Sequence, residues 1–155
     1  MKMAAPMEIA ISCENIEAMI SFYTEVVGCE FVNIIEMSPE QAQHIPLARS
    51  GFRVARLQTD NGERIKLLEP IGTRASVPIT EEVMLREHAF YITFIVKDIR
   101  SLLKQLKDQQ VPMIGGYEAF EFRPGFFLAF ARDPEGNVIE FNEYTDLAGY
   151  RSVPD

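Results

Sequence analysis

The side chains best suited to nucleophilic or ligating chemistry are scarce in this chain of 155 residues: two histidines, His44 and His88, and two cysteines, Cys13 and Cys29. A zinc or catalytic cluster needs three or four such groups at ordered spacing, and no such spacing occurs. No glycine-rich phosphate loop and no serine-triad motif is present either. Cys13 falls in an alternating apolar run, where packing is its expected role; Cys29 follows Gly28 in a turn, with no neighbour that would activate a thiolate. Two cysteines in a chain of this length do not make a disulfide framework. His44 belongs to SPEQAQHIPLARS, which reads as a short helix or loop carrying a solvated histidine, and His88 reads as a connector residue. The aromatic stretch GGYEAFEFRPGFF, Gly115–Phe127, holds more rings than one strand face needs. It reads either as core plus a hairpin around Pro124–Gly125, or as the wall of an apolar ligand pocket. In the second case Tyr117, Phe122 and Phe127 line the pocket and Arg123 stands at its rim.

The elements that must position these groups come in two copies. EIAISCENIEAMISFY from Glu8 matches YITFIVKDIRSLLKQL from Tyr91. Each begins as a strand with alternating apolar residues, Ile9, Ile11 and Cys13 in one and Ile92, Phe94 and Val96 in the other. A helix cap follows, Asn15 or Asp98, and the apolar period then changes from two to about 3.6. Ile16, Met19, Ile20, Tyr23 and Val27 form one helical stripe, and Ile99, Leu102, Leu103 and Leu106 the other. Gly28 closes the first helix and Pro112 lies beyond the second. NGERIKLLE from Asn61 matches EGNVIEFNE from Glu135, each a turn feeding a last strand. Two further strands fit inside each copy, roughly Glu30–Glu36 with Gly51–Thr59 and Met113–Phe120 with Phe126–Arg132. The expected fold is therefore α+β, two βαβββ modules at about residues 7–70 and 89–145. A connector at about 71–88 and a tail at 146–155 complete one domain.

Composition agrees with a folded domain: 47% hydrophobic and 25% charged residues. The net charge of −8 supplies no basic stripe, so no nucleic-acid partner is expected. No apolar run approaches the roughly eighteen residues of a membrane span, and the opening MKMAAPMEIA lacks an apolar signal core. The expected location is cytoplasmic.

ENIEAMISFYTEVVG and DPEGNVIEF resemble the opening and closing signatures of the vicinal oxygen chelate superfamily, which holds glyoxalases, bleomycin-resistance proteins and extradiol dioxygenases. The resemblance runs from about Glu8 to Tyr144 and implies two curved sheets enclosing a ligand cleft, commonly in a homodimer. In the metal-using members two histidines and two glutamates point into that cleft, from the first and last strand of each module. The matching positions here are Glu8, Lys66, Tyr91 and Glu140, and of these only Glu140 is the residue the family pattern expects. A lysine ammonium has no lone pair to ligate a cation, and a phenol keeps its proton near neutral pH. No metal and no other cofactor is therefore expected.

Strand alternation sends Glu8, Lys66, Tyr91 and Glu140 to the face opposite Ile9, Ile65, Ile92 and Ile139. Ser12 and Thr93, in the same first strands, are further candidate ligand contacts. The four-residue set reads either as a self-neutralising ion cluster or as working groups, with Glu140 a general base and Lys66 or Tyr91 stabilising an oxyanion. The expected function is binding of a small, largely apolar organic molecule, of the bleomycin-resistance type. The alternative is a metal-independent lyase or isomerase moving a proton next to a carbonyl. A metal-dependent glyoxalase or dioxygenase-type reaction comes third.

Overall fold

A computed structural model describes residues 4–45, 47–72 and 90–150. His88 and most of the expected connector lie outside the described residues. The chain divides into two compact units, Met1–Val77 and Pro78–Asp155, each with one sheet.

In the first unit the elements run β1 (Glu8–Ser12), α1 (Ile16–Ser21), β2 (Glu30–Met37), α2 (Pro39–Ala42), β3 (Phe52–Gln58) and β4 (Arg64–Pro70). The sheet order is β1-β4-β3-β2, with β1 parallel to β4 and the other pairs antiparallel. The second unit runs β5 (Tyr91–Ile95), α3 (Ile99–Asp108), β6 (Met113–Ile114), β7 (Phe120–Arg123), β8 (Phe126–Arg132), β9 (Val138–Tyr144) and α4 (Leu147–Tyr150). Its order is β5-β9-β8-β6, and β7 pairs with β8 as well. Each unit is thus a βαβββ module in an α+β fold. No helix among the described residues is long and apolar enough to cross a membrane.

The strand expected over Met113–Phe120 is broken into β6 and β7. Gly115 and Gly116 take φ of +90° and +94°, left-handed values that no strand continues through. The chain leaves the sheet there and returns to the same partner: Met113 and Ile114 face Ala131 and Phe130, and Phe120 faces Leu128.

The helices begin as the sequence indicates. Asn15 Oδ1 accepts from Ala18 N at 3.0 Å and Asp98 Oδ1 from Ser101 N at 2.9 Å, caps contributing about 1 kcal/mol each. A second tie reaches each helix from the far end of the module. Ile16 N donates to Glu69 of β4 at 3.1 Å, and Ile99 N donates to Glu143 of β9 at 2.7 Å. The carboxylate placed at the positive end of each helix fixes it to the last strand of its own sheet.

After one and a half turns α1 widens into a π turn, Phe22–Val26, with Val27 N bonded to Phe22 O at 3.2 Å. The wider turn turns both Phe22 and Tyr23, adjacent in sequence, into the core, where their rings meet edge to face at 5.3 Å. A strict 3.6 period would have buried only one of them. Ile16, Met19, Ile65 and Leu67 fill the first core, and Ile99, Leu103, Leu106, Ile139 and Phe141 the second.

Candidate functional site

The turns before β4 and β9 set the register of the strands that carry Lys66 and Glu140. Thr59 N donates to Glu63 O at 2.9 Å and Asp133 N to Asn137 O at 3.0 Å, and Gly62 and Gly136 sit at φ +93° and +83°. Asp133 is buried and accepts from Glu135 N, Asn137 N and Asn137 Nδ2 at 3.0, 2.9 and 2.8 Å.

On the first sheet Ile65 and Leu67 of β4 are buried, so Arg64, Lys66 and Leu68 leave by the other face. Glu8, Ala10 and Ser12 of β1 stand beside them in register. Lys66 Nζ lies 3.2 Å from Glu8 Oε2, and Arg64 lies 3.5 Å from Glu8 Oε1. The hydrogen bond from Lys66 is the main force holding the Glu8 carboxyl below its ordinary value of 4.5, with Arg64 adding to it. The pair is about two-thirds shielded, at 32% and 35% side-chain exposure, so solvent screens a large part of the attraction.

On the second sheet the same face carries Glu140, Asn142 and Tyr144 of β9. Thr93 of β5 and Phe130 of β8 stand on either side of Glu140. Glu140 is 9% exposed, and Thr93 Oγ1 donates to its Oε2 at 2.6 Å. Tyr91 packs edge to face on Phe130, centroids 6.3 Å apart, and is itself 44% exposed. Phe126 stacks on Tyr144 at 4.5 Å. The result is a shielded carboxylate, held by a hydroxyl and walled by rings.

The aromatic stretch 115–127 does not act as one wall. Tyr117 OH donates to the Val111 carbonyl at 2.8 Å. Phe122 is exposed and touches Phe126, while Arg123 lies over the Phe126 ring at 5.6 Å. Phe127 points to the helix side, opposite to Glu140, and Arg100 of α3 covers its ring at 4.9 Å. The corresponding pair in the first module is Arg53 on Glu17, bonded at 2.7 and 3.2 Å. The ring therefore ties helix to sheet where the first module uses an ion pair.

His44 is exposed just after α2, and Cys13 and Cys29 are buried and in no disulfide. Burial, with Asp60 adding to it, pushes the Cys29 thiol up to about 11, which makes it inert near neutral pH. Among the described residues no three His, Cys, Asp or Glu side chains gather at a spacing that could hold a metal ion.

Residues 7–141 match the pattern of the Glyoxalase/Bleomycin resistance protein/Dioxygenase superfamily. The chain belongs to that superfamily. Among solved structures it is similar to a glyoxalase family protein from Bacillus cereus, at 19% identity and TM-score 0.76, covering 92% of this chain and 95% of that one. The trypanothione-dependent glyoxalase I of Leishmania major gives 20% identity and TM-score 0.65 over 92% and 88%. A glyoxalase/bleomycin resistance protein/dioxygenase domain from Frankia gives 13% and 0.66 over 95% of both chains. At these identities the likeness is one of fold. No curated protein sequence matches the chain.

The metal-using members of this superfamily raise the question of fit. At the matched positions of the first module, Glu8 is already engaged by an ammonium, so a cation there would have to displace Lys66. At those of the second, Glu140 is accompanied by a phenol and a hydroxyl. These residues do not fit a divalent ion.

Proposed function

We propose that this superfamily member binds a small, largely apolar organic molecule, without a metal, at the face of β5, β9 and β8 that carries Glu140. The observation that carries this reading is the shielded Glu140 carboxylate: 9% exposed, held by Thr93 at 2.6 Å, with Phe130 beside it in register and Tyr91 packed on Phe130. A carboxylate is costly to shield from water, and a charged anchor among rings is the usual construction of a ligand site. On the first module Lys66 supplies the positive charge at a position where metal-using relatives place a ligand, and Glu8 neutralises it. The protein acts as a cytoplasmic homodimer, the arrangement common in the family.

Proton transfer next to a substrate carbonyl is the second reading, favoured by the hydroxyl that fixes Glu140 in one orientation. Glu140 would take the proton, and Tyr91 of the same module would stabilise the oxygen. The glyoxalase I activity named for the Leishmania relative comes third, because the family's metal set is not matched here.

The test is a thermal-shift screen of aromatic fragments with and without chelator, followed by titration of the hits into wild type and Glu140→Gln. Binding that survives chelator and weakens about 5- to 50-fold in the variant supports the first reading. A compound that is turned over by wild type and not by Glu140→Gln would move the second reading to first place. Hits abolished by chelator and restored by one divalent ion would end both.

A further inference from the structure

Asn142 lies two residues beyond Glu140 on β9, so the two side chains leave the same face of the sheet, roughly 7 Å apart. It is 5% exposed, and its carboxamide Oδ1 is buried without a hydrogen-bond partner among the described residues. Its neighbours in register, Ile95 of β5 and Leu128 of β8, carry no polar side-chain atom.

The fold does not require an amide there. Val96 N donates to the Asn142 carbonyl at 2.8 Å, just as Cys13 N donates to the Leu68 carbonyl at 2.8 Å in the first module. Leu68 is therefore the same position in the other copy, and the strand is built equally well with leucine. Stranding a buried acceptor costs stability, and buried polar groups in native proteins nearly always have partners. A bound ligand would supply the partner that no described residue provides.

We infer that Asn142 determines ligand specificity at the Glu140 face, and that the ligand presents N–H donors to Asn142 Oδ1 and the Glu140 carboxylate together. This deepens the binding reading above and rests on it. Thr93 gives its hydrogen to Glu140, so the acceptors open to a ligand are the Glu140 carboxylate and Asn142 Oδ1, beside the Asn142 amide nitrogen, which is a donor. An organic carbonyl or carboxylate placed there would leave both acceptors unsatisfied and would meet the negative charge of Glu140. An amidine or guanidine on an aromatic body satisfies both, sets a positive charge against Glu140 and lays its ring on the Tyr91–Phe130 wall.

The experiment compares benzamidine with acetophenone, similar in size but without N–H groups, by shifts of backbone amide resonances in wild type and Asn142→Leu. Benzamidine binds wild type at least about tenfold tighter than acetophenone, and the variant loses most of that ratio while acetophenone binding is unchanged. The unliganded variant also melts about 2 to 6 °C higher, because an orphaned acceptor has been replaced by an apolar group of similar size. A wild-type ratio near one, an unchanged ratio in the variant, or a lower melting temperature overturns the inference and leaves the binding reading standing. Failure of both probes to move resonances around Glu140 overturns the two together. The wild-type ratio needs no variant, so a poorly folded Asn142→Leu does not shield the proposal.

Discussion

Replacing Asp133 tests whether one buried carboxylate sets the strand that carries the candidate site. It is 2% exposed and accepts hydrogen bonds from Glu135 N at 3.0 Å, Asn137 N at 2.9 Å and Asn137 Nδ2 at 2.8 Å. Asp133→Ala removes all three. Bonds to a charged acceptor contribute about 1.5–3 kcal/mol each, and water reaching the loosened turn recovers roughly half of the sum. The expected loss is about 3–4 kcal/mol, or roughly 10 °C in melting temperature for a chain of this size. Asp133→Asn separates charge from geometry. Its oxygen still accepts from the two backbone amides, while its NH2 meets the Asn137 NH2, so the expected cost is about 1–2 kcal/mol. Urea unfolding of the two variants gives both numbers, and hydrogen exchange at Val138–Glu140 reports whether β9 loosens before the rest of its sheet. A loss below about 1 kcal/mol in Asp133→Ala, or equal losses in both variants, would refute the assignment.

Two other consequences concern charge. Lys66 holds the Glu8 carboxyl below its ordinary value of 4.5, so the pair stabilises the fold above that pH and loses its contribution as pH falls through the lowered value. Carbon-detected NMR titration should show the Glu8 midpoint rising toward 4.5 in Lys66→Met, and an unchanged midpoint would remove Lys66 as the cause. The helix ties of the two modules should also be exchangeable. Arg100→Glu and Phe127→Arg are each expected to cost about 1–2 kcal/mol, and the double variant, which rebuilds the Arg53–Glu17 pair in the second module, to recover at least about 0.5 kcal/mol by double-mutant cycle. Strict additivity would contradict the proposed equivalence.

The fold was legible because backbone signals repeat. Alternation at Ile9 and Ile11, the caps Asn15 and Asp98, and the glycines of the turns before the last strands are local choices that agree with one another. The ties from Glu69 and Glu143 to the helix starts were present as aligned letters, but a contact 53 or 44 residues away has no local signature. Alternation also carried the faces of Lys66 and Glu140. It failed in the aromatic stretch, where two left-handed glycines restart the count, and Phe127 had to be placed by its register with Glu143. Asn142 stood two residues from Glu140 in full view. Its significance depends on having no partner, and only coordinates supply that.

The two copies differ where the face turned away from the helices is concerned. Toward the helix they keep most of their devices, a polar cap, a glutamate from the last strand, Ile16 matched by Ile99 and Ile65 by Ile139, and differ in the Arg53–Glu17 and Arg100–Phe127 ties. On the other face Glu8 is matched by Tyr91, Ala10 by Thr93, Lys66 by Glu140 and Leu68 by Asn142. Core packing would not separate these pairs so consistently, since both copies solve the same packing problem with the same topology. The first module pairs its carboxylate with cations, Glu8 with Lys66 and Arg64, while the second has a shielded carboxylate held by a hydroxyl and a buried amide oxygen without a partner among the described residues. On the proposal above, this asymmetry favours the second module as the one that recognises donor groups. If instead the first module held the principal anchor, Glu8→Gln would weaken benzamidine binding more than Asn142→Leu does, and that ranking would reverse the assignment.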